Sequence, residues 1–95
     1  MEPHAAADSR GMFAISVAAA RADLPIQNLR VYERRGLLEP ARTPGGTRLY
    51  SEADIRVLRR IAELLSDGLN LVGIRRVLKL EDEISHLRAT LRPKR

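Results

Sequence analysis

Apolar residues recur at helical spacing in several stretches of this chain, and Gly or Pro punctuates the gaps between them. Phe13-Ala14-Ile15 is a short apolar lead into Ser16, whose hydroxyl suits an N-cap. Val17 to about Asp23 follows, with Ala at 18, 19, 20 and 22, the composition of a short, tightly packed helix. Pro25 has the fixed φ that suits a second helix start, and Ile26, Leu29 and Tyr32 recur about once per turn up to Arg35. Gly36 is a natural stop, so two short helices joined by about three residues form a helix-turn-helix pattern. From Leu37 to Tyr50 the pattern changes. Pro40 and Pro44 disfavour a helix, Gly45-Gly46 marks a turn, and the flanks predict a small hairpin with Arg42 and Arg48 on its sides.

Ser51 and Asp54 are spaced as a capping box before the longest helix, where Ile55, Leu58, Ile61, Ala62 and Leu65 make an apolar stripe that Gly68 closes. Asn70 caps a further helix, Leu71 to about Lys79, with Val72, Ile74, Val77 and Leu78 as core contacts. In a final segment Leu80, Ile84, Leu87 and Leu91 repeat at steps of 4, 3 and 4, the seam of a coiled coil, until Pro93. The fold class expected is mainly α: a winged helix-turn-helix with a β-hairpin wing and a short C-terminal dimerisation helix. Residues 1–11 read as a flexible tail, 12–79 as the domain, 80–91 as the dimerisation helix and 92–95 as a basic tail.

Composition narrows the chemistry. The 95 residues suit one small domain, and a formal charge of +5 favours a polyanion as partner. Cysteine is absent, which excludes disulfides, thiolate metal sites and thiol nucleophiles, and His4 and His86 are too far apart to point to a metal site. With no apolar run of membrane length and no signal-peptide pattern, a cytoplasmic protein is expected. No phosphate loop or nucleophile–base spacing marks an enzyme, and no cofactor is implied.

Gln27 and Asn28 lie where the second helix of a helix-turn-helix meets base edges, and both amides pair well with adenine. Arg34, two turns on from Gln27, is placed to meet a base or a phosphate. Ser16 offers a phosphate the positive end of the first helix, with plain capping as the competing role. Between residues 30 and 48, five arginines (30, 34, 35, 42 and 48) face only Glu33 and Glu39.

The stretch LRVYERRGLLEPARTPGGTRLYSEADIRVLRRI resembles the DNA-binding domain of the MerR family of bacterial transcription regulators. The likeness covers about residues 13 to 80: the LR-x-YE helix end, the GL-x-x-P exit, the glycine hairpin with R-x-Y, and the S-x-x-D-I helix start. RTPGG and DGLNLVGIRRVL are further similar to the HspR branch of heat-shock repressors. The resemblance implies that Arg30, Tyr32 and Arg48 meet the phosphate backbone, with a core aromatic as the other reading of Tyr32. Arg42 joins them as a candidate against the reading of a solvated charge. It also implies a repressor on an inverted-repeat operator in double-stranded DNA. The seam of Leu80, Ile84, Leu87 and Leu91 offers the surface for a homodimer, with packing of the stripe on its own domain as the competing reading. A DnaK-type chaperone as co-repressor is an implication of the HspR likeness alone. The competing function is a DNA-architectural or excisionase-like recombination accessory factor, which binds direct repeats without a dimer helix.

Overall fold

A computed structural model describes residues 12–92. The expected tail at 1–11, His4, the stop at Pro93 and the rest of the basic tail lie outside the described residues. Four helices and one hairpin follow in order: α1 (Ile15–Ala22), α2 (Ile26–Arg34), β1 (Ala41–Arg42), β2 (Arg48–Leu49), α3 (Glu52–Ser66) and α4 (Leu71–Leu91). The strands pair antiparallel, with Ala41 opposite Leu49 and Arg42 opposite Arg48.

α3 is the centre of the molecule. Ser51 Oγ accepts the Asp54 N–H at 3.1 Å, while Asp54 Oδ2 accepts the Ser51 N–H at 2.9 Å, so the capping box forms in full. Ala18, Ala19 and Ala22 are buried on α1, and their small side chains let that helix lie close against α3. Leu29 and Tyr32 of α2, Tyr50 after the wing and Ile74 of α4 complete the core around Ile55, Leu58, Ile61 and Leu64. Leu65, expected in this stripe, is 37% exposed, and Leu64 takes its place. The reason is geometric. Each step of three residues slips back by about 60° around a helix of 3.6 residues per turn. The buried line through 55, 58, 61 and 64 therefore sweeps around α3 as it packs on both α1 and α4.

Three further expectations need correction. Ser16 is not the cap of α1: the helix starts at Ile15 behind Ala14, without a side-chain cap bond. The apolar Ile15 can enter the helix because it packs on the core, so Ser16 is drawn into the first turn and stands exposed. Val72 is 60% exposed and only Ile74 of its group is fully buried, since Val72 lies about 200° around the helix from Ile74. The segments expected on either side of residue 80 form one unbroken helix of 21 residues. Asn70 caps it, accepting the Gly73 N–H at 2.8 Å.

Turn chemistry places α2. Asp23 ends α1 in the left-handed region at φ 58°, and the Leu24 N–H bonds Ala19 O at 2.9 Å. Pro25 then stands at the N-cap of α2, at the φ of about −65° that its ring fixes. Gly36, at φ 78°, closes α2 and turns the chain toward the wing.

Candidate nucleic-acid interface

α2 buries Leu29 and Tyr32 on one side, and helical geometry puts Gln27, Arg30 and Arg34 on the opposite side, all exposed. Three of the candidate residues thus share one solvent-facing stripe. Asn28 is turned partly inward, and its Nδ2 donates to the Tyr32 hydroxyl at 3.3 Å. Tyr32 itself is 3% exposed, so the core reading of this aromatic holds for its ring while its hydroxyl edge meets Asn28. Ser16 stands on a different helix and shares no hydrogen bond with these residues among the described ones.

The wing is built on a tight turn. The Gly46 N–H bonds Thr43 O at 2.8 Å, the Thr43 N–H bonds Thr47 O at 2.8 Å, and Gly46 takes φ 90°, where a side chain is strained. At its base, Phe13 and Tyr50 exchange two backbone hydrogen bonds of 2.7 Å, which fasten the chain entering α1 to the end of β2. Both wing arginines meet α2. Arg42 Nη2 donates to Glu33 Oε2 at 2.8 Å, Arg48 Nε donates to Glu33 Oε1, and Arg42 Nη1 also donates to Gly46 O at 3.2 Å. Arg42 and Arg48 therefore lie together at the C-terminal turn of α2, joined by one carboxylate.

Sequence reasoning missed Glu33 as that joint. The signal was thin: an acid between arginines, 9 and 15 residues from partners that stand on the two strands of the wing. It likewise missed the ties that hold the scaffold. Arg21 pairs with Glu52 at 2.7 Å between α1 and α3, and the hydrogen bond from Arg21 holds the Glu52 carboxyl below the usual carboxylate range. Arg60 of α3 donates to Glu81 at 2.6 Å and to Glu63 at 2.8 Å, and these bonds push its pKa up.

Leu80, Ile84, Leu87 and Leu91 are 57%, 46%, 60% and 78% exposed along α4. Among the described residues this stripe takes no part in the core. His86 lies beside it and takes only a local contact, its Nδ1 2.9 Å from Asp82 O. No described helix is long and apolar enough to cross a membrane. Among the described residues no group of three His, Cys, Asp or Glu is arranged to hold a metal ion.

Residues 13–81 match the family described as MerR HTH family regulatory protein. The chain is 42% identical over 88 residues to a putative heat shock protein HspR of Streptomyces coelicolor, covering 92% of this chain and 58% of that protein. It is 36% identical to the HTH-type transcriptional regulator GlnR of Bacillus anthracis, over 78% of this chain and 57% of that one. Among solved structures, the transcription regulator PbrR691 from Ralstonia metallidurans CH34, in complex with lead(II), superposes with a TM-score of 0.72. Identity there is 38%, covering 76% of this chain and 57% of that one. A MerR-family regulator from Bacillus cereus gives a TM-score of 0.66 at 27% identity, over 84% of this chain and 66% of that one. The chain thus spans under three fifths of the length of these two curated relatives. The matched family is one of transcription regulators, not enzymes.

Proposed function

The chain belongs to the MerR HTH family of transcription regulators, and from that premise we propose that it represses transcription by binding an inverted repeat in double-stranded DNA as a homodimer. The observation that carries this reading is the exposed stripe of Gln27, Arg30 and Arg34 on α2, with Arg42 and Arg48 of the wing at the end of the same helix. In this arrangement α2 enters the major groove, about 12 Å wide, and its first turn presents Gln27 and Asn28 to base edges. Arg30, Arg42 and Arg48 meet phosphates on either side, Arg34 reaches a base or a phosphate, and Tyr32 braces Asn28 from below. Ser16 contributes through the N–H groups at the start of α1.

The uncovered stripe on α4 supports pairing with a second copy, and it favours an inverted repeat over the direct repeats of an architectural factor. The unbroken helix strengthens this case. A lone helix of about 11 residues is marginal in water, whereas here the folded domain has already nucleated the helix. Likeness to a putative heat shock protein HspR supports action at stress-response promoters. Repression there, in the cytoplasm and with a chaperone as co-repressor, completes the proposal.

Binding to a duplex selected from a randomised pool, measured across a salt series, tests the reading. With about four phosphates neutralised per protomer, log K falls against log salt with a slope near −7 for the dimer. A slope shallower than about −2 contradicts the phosphate assignments.

A further inference from the structure

The wing has little structure of its own. Its strands are two residues each, far below what an isolated hairpin needs to hold its shape. Its alignment with α2 runs through Glu33, whose side chain is 16% exposed, while those of Arg42 and Arg48 are 47% and 37% exposed. Among the described residues Glu33 is the one acid that bonds either wing arginine. Arg48 spends only its Nε on this contact, so its two terminal amino groups have no protein partner among the described residues. One negative charge thus serves two cations at the surface offered to a polyanion, and it fixes where one cation stands while leaving its outer donors open.

Two consequences follow from this arrangement. An arginine on a free tether finds a phosphate on any duplex, which is the sequence-independent part of affinity. An arginine held by its Nε meets a phosphate only where the backbone passes one position relative to α2, so its contact depends on the register that α2 reads. The carboxylate also repels the duplex and lowers the effective charge of the wing. Resting on the DNA-binding reading above, we propose that Glu33 is a specificity-determining positioning residue: it holds and partly masks the wing arginines, trading non-specific phosphate affinity for discrimination between sequences.

The sign of the effect separates this role from simple support of the fold. We measure the full chain on two probes, a random-sequence duplex and the duplex that the wild type selects from a randomised pool. Glu33→Gln is expected to bind the random duplex about tenfold tighter at low salt, with a salt slope steeper by about 1 per protomer. Its preference for the selected duplex falls by about the same tenfold factor. In an Arg42→Gln/Arg48→Gln background the same change leaves the preference unaltered and keeps only the smaller affinity gain from relieved repulsion, because the arginines it positions are gone. Glu33→Asp, which keeps the charge but shortens the reach, gains less affinity for the random duplex than Glu33→Gln and still loses preference. Weaker binding of both probes in step with an unchanged slope overturns the inference, as does a Glu33→Asp chain with full preference. Should the wild type bind neither probe, the DNA-binding reading falls and this inference with it; should it bind while Glu33→Gln leaves the slope alone, only the inference falls.

Discussion

Tyr50 is fully buried at the foot of the wing, and its hydroxyl has no hydrogen-bond partner among the described residues. Burial first, and the nearby Glu33 carboxylate second, push its phenol above the ordinary value of 10.0. A raised pKa means that the folded state holds the phenolic proton more tightly than the unfolded chain. Stability from this group is therefore intact below pH 10.0 and declines as pH rises past that value. Tyr50→Phe removes an unpaired buried hydroxyl, so thermal melts at neutral pH are expected to show unchanged stability or a gain of up to about 1 kcal/mol. The same variant loses part of the alkaline decline, and a drop of more than about 1 kcal/mol at neutral pH indicates a partner for the hydroxyl. The place of Tyr50 is legible in the sequence, since an aromatic residue that ends the hairpin just before a capped helix anchors the wing to the helices. The inward turn of Asn28 and the joint at Glu33 were not, since both depend on side chains meeting across folded elements.

Helix ends were legible wherever a side chain makes the cap. Ser51 and Asn70 both do so, and both boundaries fall where their chemistry indicates. At Ala14 no side chain caps the helix, and there the expected start at Ser16 slipped. The left-handed Asp23 carries no such cue either, because its conformation is imposed by the Leu24 and Asp23 N–H groups closing back on Ala19 and Ala20. Replacing Ser51 with Ala leaves the Asp54 N–H without its acceptor and is expected to cost about 1 kcal/mol. Denaturant unfolding checks this as a lower midpoint with an unchanged slope. The buried line on α3 shows what periodicity alone misses: a helix with neighbours on two sides has no single apolar face, so Leu64 and Leu65 exchange places.

For the whole molecule, the exposed stripe on α4 sets the quaternary expectation. Placing a charge at its centre, Ile84→Asp, requires a buried carboxylate in any paired seam, which costs several kcal/mol unless it is matched. Sedimentation is expected to show a monomer at concentrations where the wild type pairs. The variant keeps its binding to a single half-site and loses about 100-fold or more on the two-half-site duplex, as when linked modules are separated. A variant that still sediments with the wild type shows that the seam lies elsewhere. The stripe itself was legible from its 4, 3, 4 spacing. The joining of two segments into one helix was not, because nothing in the acidic run Glu81-Asp82-Glu83 marks whether a helix pauses or continues.

That continuity has a mechanical meaning. The inner half of α4 closes the core through Ile74, Arg60 grips it at Glu81, and from residue 82 onward every described side chain is in solvent. Axle and blade are one piece. Adding a single amino acid between Lys79 and Leu80 swings the ridge by about 100° and advances it about 1.5 Å relative to α2. Seven added residues come round to within about 20° of the original phase. Lengthening this arm without unmeshing the two heads is therefore possible only in nearly whole turns.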